Sequence, residues 1–175
     1  VARPLAHQVR DSNTPTLRAL LAAAGFPVRS AERVRDDRAA TMAALKRGLA
    51  ADALVVTGGV SMGDFDLVPG VLKSLGVKCL FHKVRVRPGK PMLFGVKGRT
   101  LVFGIPGNPV SNFMAYLAYI RPAIYKLAGR SDYAPQFLTG ACAGKFEPKT
   151  PRRALVLSRV GAKTEYSLSE VSNNG

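Results

Sequence analysis

ALVVTGGVSMGDFDLVPGVLKSL, residues 53–75, is the stretch that decides the fold. Ala53 to Thr57 form a compact apolar run without the alternation of a strand that has one wet face. Such a run reads as a buried strand of a parallel sheet, apolar on both faces. Gly58-Gly59 end it, a loop runs to Asp66, and Val68, Val71, Leu72 and Leu75 then recur at helical spacing. Strand, glycine loop and helix in that order form one unit of an α/β sheet.

The flanks repeat the alternation. Asp11-Ser12-Asn13-Thr14-Pro15 supply capping side chains and a proline suited to a first turn. Leu17, Leu20, Leu21 and Ala24 follow at helical spacing, and Gly25 stops the helix. Val28 to Val34 reads as a short strand. Asp36-Asp37 then open an amphipathic helix carrying Ala40, Met42, Ala43, Leu45 and Leu49. Downstream, Val77 to Val86 reads as a strand region and Arg87 to Pro91 as a turn. Met92–Phe94 and Leu101–Phe103 read as two strands around the basic turn Lys97-Gly98-Arg99. Gly104 to Pro109 form a sharp loop that opens a long apolar helix from about Val110 to Leu127, kinked at Pro122. The expected fold class is α/β with helices on both faces of the sheet. Past Gly129–Tyr133 the pattern turns to short strands at Leu138–Ala143, Arg153–Arg159 and Thr164–Leu168. The expected division is therefore an α/β domain over 1–130 and a small β domain over 131–175.

Of 175 residues, 47% are apolar and 21% charged, an ordinary globular balance that excludes disorder as the main state. No apolar run is long enough for a membrane helix, and no signal peptide opens the chain, so the expected location is the cytoplasm. Charge is the unusual property: 26 Lys and Arg against 11 Asp and Glu give a net +15. Leu67 to Ser131 hold 11 of those cations and no acid, while Asp36, Asp37, Asp64 and Asp66 all precede that stretch. The excess points to anionic partners. Nucleic acid is disfavoured, because the 13 aromatics (8 Phe, 5 Tyr) include no Trp and no nucleic-acid motif is present. Cys79 and Cys142 fit no ligand spacing, and with only His7 and His82 as imidazoles they read as buried free thiols.

Three loops occupy positions where an open α/β sheet binds ligands. In Thr57-Gly58-Gly59-Val60-Ser61-Met62-Gly63-Asp64-Phe65-Asp66, glycines let amides approach phosphate oxygens, and Thr57 and Ser61 add hydroxyls. The paired Asp64 and Asp66 fit Mg²⁺ held against a phosphate, or else a helix cap. Arg87-Pro88-Gly89-Lys90-Pro91 presents two cations on a stiff frame, or is a plain solvated turn. In Gly104-Ile105-Pro106-Gly107-Asn108-Pro109-Val110-Ser111, Asn108 caps a helix and Pro109 takes its first position, leaving amides that attract anions or serve as a cap alone.

Taken together, Arg10-Asp11-Ser12-Asn13, Arg35-Asp36-Asp37, TGGVSMGDFD (57–66), RPGKPMLFG (87–95) and GIPGNPVS (104–111) resemble the MoeA family of molybdopterin molybdenumtransferases, which includes the E domain of gephyrin. The resemblance covers about Gln8 to Gly129 and is faint beyond. It implies a MogA-like three-layer α/β/α molybdopterin-binding domain followed by a small, incomplete β domain. The implied reaction inserts molybdate into adenylylated molybdopterin, with phosphoanhydride cleavage and release of AMP. Asp36 and Asp66 match acidic positions of the family's site and, with Asp64, would hold Mg²⁺ or Zn²⁺. Lys90 matches the lysine of its PGKP turn, beside the molybdate region. Asp66, Asp36 and Lys90 are thus the implied catalytic residues. Thr57, Gly58, Gly59, Ser61, Gly63, Asp64, Arg87, Pro106, Gly107, Asn108, Pro109 and Ser111 are the implied binding residues. Arg87 departs from the family, where Lys is commoner; it keeps the charge and adds a planar donor fork.

The resemblance further implies a homodimer and a molybdopterin-adenylyltransferase partner. The family's domain begins with a strand ending in Thr-Gly-Asp-Glu, preceded by two further domains. Neither is in this sequence, so the expectation is the C-terminal portion of such a chain. A catalytically incomplete binding or scaffold module of the same fold is the alternative.

Overall fold

A computed structural model of the chain describes residues 9–61, 67–136, 141–142, 151–160 and 167–170, with the backbone alone considered at 141–142, 159–160 and 167–170. In chain order the first part contains α1 (Asn13–Ala23), α2 (Arg38–Gly48), β1 (Ala53–Thr57), α3 (Leu67–Ser74), β2 (Lys78–His82), β3 (Val86–Arg87), β4 (Leu93–Lys97) and β5 (Thr100–Ile105). Then come α4 (Pro109–Ala115), a π-helical turn (Tyr116–Ile120) and α5 (Arg121–Leu127).

Four strands form one sheet in the order β1-β5-β4-β2. β1 runs parallel to β5, from Ala53 opposite Leu101 to Thr57 opposite Ile105. β4 is antiparallel to both β5 and β2. Alternation along β5 sorts its side chains between two cores. Phe103 and Ile105 join Met92, Leu17 of α1, Ala115, Tyr116, Ile120 and Ile124 on one face. Val102 joins Leu93, Leu45 of α2, Val60, and Val68, Val71 and Leu72 of α3 on the other. Helices therefore cover both faces, as expected for this class.

The orientation of α2 follows from its last turn. The Thr100 hydroxyl donates to Leu49 C=O (3.2 Å) and Ala51 C=O (2.9 Å), and Leu101 N–H donates to Asp52 C=O (2.9 Å). The helix thus ends at the amino ends of β1 and β5. The Asp37 carboxylate caps its beginning by accepting from Ala40 N–H at 2.7 Å.

Several expectations need correction. β1 is parallel and apolar, yet it stands at the sheet edge and all five residues are only half-buried. Val28–Val34 is not a strand. No ladder among the described residues holds it; Arg29 Nη1 donates to Ala50 C=O (3.1 Å), and Arg47 grips the Glu32 carboxylate with two bonds (2.6 and 3.2 Å). The Val77–Val86 region is two strands, because Lys83 takes φ +117° and turns the chain out of the sheet. Lys83 N–H then donates to Met92 C=O (2.8 Å) and Val84 N–H to Lys90 C=O (3.0 Å). The helix after Asn108 runs unbroken from Pro109 to Leu127 as expected, but it is not α-helical throughout. Proline cannot donate to a carbonyl four residues back, and the chain widens into the π turn before Pro122 restarts it as α5. Tyr116 in that turn donates its hydroxyl to Leu20 C=O (3.0 Å), tying it to α1; burial raises the phenol above its ordinary pKa. Cys79 is exposed rather than buried, because β2 is the other sheet edge. The Cys142 side chain lies outside the described residues.

After a 3₁₀ turn at Ser131–Tyr133 come β6 (Ala141–Cys142), β7 (Arg153–Ala154), β8 (Ser158–Val160) and β9 (Ser167–Glu170). β9 pairs parallel with β6 and antiparallel with β8. β7 instead pairs parallel with β3, Val86 opposite Arg153 and Arg87 opposite Ala154. Residues 138–140, 143 and 164–166 of the expected strands lie outside the described residues.

Candidate functional site

The carboxyl ends of β1 and β5 carry two of the three loops. Thr57, half-buried, ends β1, and Gly58 and Gly59 follow at φ +79° and +63°, left-handed conformations that favour glycine. Gly58 N–H donates to Ile105 C=O at 2.9 Å, so the β1–β5 pairing extends into the loop. Val60 is buried and anchors the loop. Its carbonyl stands 2.6 Å from Nε2 of His82, which therefore carries the proton there. Ser61 is exposed. Gly63, Asp64 and Asp66 lie outside the described residues.

Beyond β5, Ile105 and Pro106 are buried, while Gly107, Asn108 and Pro109 emerge to solvent. The Asn108 carboxamide oxygen accepts from Ser111 N–H (3.1 Å), and Pro109 starts α4. Cα of Gly58 lies 3.6 Å from where a Cβ on Gly107 would stand, so the two loops meet backbone to backbone.

The Arg87–Pro91 turn closes the group. It is held by Val84 N–H on Lys90 C=O (3.0 Å) and by Leu155 N–H on Arg87 C=O (2.8 Å). A Cβ on Gly89 would stand 3.9 Å from Ser111 C=O, placing this turn against the start of α4. Arg87 and Lys90 are exposed. The ion pairs of the described residues, Arg47–Glu32 and Arg130–Asp132, involve neither.

Asp36, just ahead of α2, is exposed, and no hydrogen bond among the described residues ties it to the loops. The α1 start does make such a bond: Asn13 Nδ2 donates to Gly107 C=O at 2.7 Å across 94 positions of sequence. Asp11 takes the capping role, accepting from Thr14 N–H at 3.0 Å. Hydrogen bonds from the Thr14 side chain and backbone hold its carboxyl below the ordinary range. By local chemistry Asn13 reads as one more capping residue; the surplus of capping side chains ahead of Pro15 is the signal of a further role. Asn112 was missed entirely. It is buried in α4 and donates Nδ2 to Pro106 C=O at 3.4 Å. An asparagine within the apolar run Val110 to Leu117 was its signal.

The structure thus brings together Thr57, Gly58, Gly59, Ser61, Arg87, Lys90, Pro106, Gly107, Asn108, Pro109 and Ser111. Backbone amides and two cations predominate, a donor set suited to oxyanions. No cluster of three His, Cys, Asp or Glu side chains able to hold a metal occurs among the described residues, where Asp36 alone represents the expected ligands. No helix among the described residues is long and apolar enough to cross a membrane.

Comparison with known proteins gives a family and a fold. The family described as "Probable molybdopterin binding domain" matches residues 3–126. A molybdopterin molybdenumtransferase of Staphylococcus epidermidis is 31% identical over 153 residues, 87% of this chain and 36% of its own length. The chain therefore spans about a third of the curated relatives it matches. Among solved structures, the molybdopterin biosynthesis MoeA protein from Pyrococcus horikosii has a TM-score of 0.80 at 22% identity, over 98% of this chain and 41% of that one. MogA has a TM-score of 0.52 at 20% identity, over 69% of this chain and 92% of its own. These two likenesses are of fold.

Proposed function

The chain belongs to the probable molybdopterin binding domain family, and from that premise we propose that it serves molybdenum cofactor biosynthesis. In this reading it binds adenylylated molybdopterin and molybdate at the carboxyl edge of β1 and β5. The reaction would cleave the phosphoanhydride, release AMP and place molybdate on the dithiolene sulfurs. The observation that carries the reading is the convergence of three loops: Gly58 on Gly107, and Gly89 on Ser111. Molybdate and the phosphates of the nucleotide are all anions and repel one another. Arg87, Lys90 and the amides of the Gly107–Ser111 loop would hold them close enough to react, a contribution of positioning above all.

A divalent cation, Mg²⁺ or Zn²⁺, is the further counter-charge this reading calls for. Its proposed ligands are Asp36, Asp64 and Asp66, and it would neutralise the bridging phosphates. Asp36 is exposed ahead of α2, free of any described ion pair that would compete for that role. A homodimer and a molybdopterin-adenylyltransferase partner belong to the same proposal, and the cytoplasm is its proposed location.

Calorimetry of the chain with adenylylated molybdopterin, with and without molybdate and Mg²⁺, tests the proposal. Saturable binding strengthened by molybdate is the expected result, and Asp66→Ala is expected to abolish metal-dependent AMP release while leaving the fold intact. No binding under any condition would discard the enzyme in favour of a scaffold module of the same fold.

A further inference from the structure

The loop after β5 owes its shape to two asparagines from different helices. Asn13, at the start of α1, donates to Gly107 C=O at 2.7 Å, and Asn112, within α4, donates to Pro106 C=O at 3.4 Å. Both acceptors are carbonyls, so in each case it is the NH₂ half of the amide that makes the bond. Consecutive peptide planes, 106–107 and 107–108, are thereby each pinned by their oxygen. Both are trans, the only cis bond of the described residues being Arg87–Pro88. A trans peptide carries its N–H on the side opposite its C=O. With both oxygens held by the protein, the N–H groups of Gly107 and Asn108 face the other way, and both residues are exposed.

The rest of the loop leaves these two donors prominent. Pro106 and Pro109 have no N–H. Ser111 N–H is already taken by the Asn108 side chain at 3.1 Å.

Asn112 carries a second observation. It is 1% exposed, and its Oδ1 has no hydrogen-bond partner among the described residues. An orphaned buried acceptor is destabilising, and an aliphatic side chain of similar volume would fill the same space without it. Its NH₂ on Pro106 is the interaction that an aliphatic residue could not replace.

We infer that Asn13 and Asn112 are positioning residues that aim the amides of Gly107 and Asn108 at the bound oxyanion. This rests on the anion-site reading given above and deepens it. Neither side chain touches the ligand; each acts by fixing one peptide plane.

The isotope-labelled chain of residues 1–175, titrated with sodium molybdate at constant ionic strength and read by the amide resonances, tests the inference. In the unmodified chain the Gly107 and Asn108 amide signals are expected to shift saturably. Asn13→Ala is expected to weaken the apparent affinity about tenfold. Asn13→Asp should weaken it at least as much, because a carboxylate has no proton to offer Gly107 C=O. Asn112→Leu separates positioning from packing: thermal stability should hold or rise as the orphaned oxygen goes, while affinity falls. Should the leucine variant fail to fold, the Asn13 pair carries the test. Variants that bind as tightly as the unmodified chain would overturn the inference, as would saturable shifts confined to the Arg87–Pro91 turn. No saturable shift in the unmodified chain would overturn the anion-site reading and the inference with it.

Discussion

Gly58 and Gly107 stand face to face at the carboxyl edge of the sheet, with a Cβ on Gly107 placed 3.6 Å from Gly58 Cα. Their conformations differ, and so do the consequences of adding a methyl group. Gly58 has φ +79°, where an L-residue is strained, so Gly58→Ala should lower unfolding free energy by about 1–2 kcal/mol. Gly107 makes only an ordinary van der Waals approach, and Gly107→Ala should change stability by less than about 0.5 kcal/mol. Urea unfolding of the two variants side by side checks the contrast.

Gly104 lies beneath that contact, at the centre of the sheet. A Cβ there would meet Val60 Cγ1 at 2.8 Å and Leu93 Cβ at 3.2 Å. Gly104→Ala should therefore cost about 1–3 kcal/mol through overpacking. Combined with Val60→Ala it should cost less than the sum of the two changes, because one clash removes the other's cavity. A double-mutant cycle measured in denaturant reads that coupling directly.

Arg87 and Lys90 should matter to binding and little to folding. Both are exposed and outside the described ion pairs. Arg87→Ala and Lys90→Ala should each weaken molybdate binding about tenfold or more with thermal midpoints nearly unchanged. Arg87→Lys should fall between, keeping the charge and losing the planar fork. Affinity in the unmodified chain should decline as salt rises. Calorimetry across a salt series follows all three.

Asp11 gives the start of α1 a pH dependence. Hydrogen bonds from Thr14 depress its folded pKa below the ordinary 3.8. The cap's contribution is therefore complete above that range and disappears as pH falls through the lower, folded value. Asp11→Asn should keep the acceptor and flatten the acid limb, whereas Asp11→Ala should lose about 1 kcal/mol at neutral pH. Thermal melts from about pH 6 to about pH 2 check the sign.

What could be read from the residues alone was whatever depends on near neighbours. The apolar run at Ala53–Thr57 with its glycine pair, Asp37 ahead of α2, and Asn108-Pro109 ahead of α4 all behave as their local chemistry dictates. What was hidden depends on distant partners. Nothing in Phe81-His82-Lys83-Val84 marks Lys83 as left-handed; the bend exists because Met92 C=O waits beside it. Pro122 announced a disturbance, but the π turn forms upstream of it, at Tyr116–Ile120. Val28–Val34 begins and ends on valine but has no strand beside it among the described residues. For the site, the three loops were legible one by one, while their meeting, and the part of Asn13 in it, required the sheet to put Gly107 beside α1.

The two-residue ladder between β3 and β7 fastens one wall of the site from far along the chain. Arg87 pairs with Ala154, and its carbonyl is capped by Leu155, partners nearly seventy positions later in the chain. Arg87 is fastened into the turn by a clasp of few bonds, whose opening requires far less than global unfolding. The cationic wall of the site is thus the part most readily withdrawn while the amide wall stays in place. A chain cut before Arg153 would retain the amides of Gly107 and Asn108 and lose the fixed bearing of Arg87.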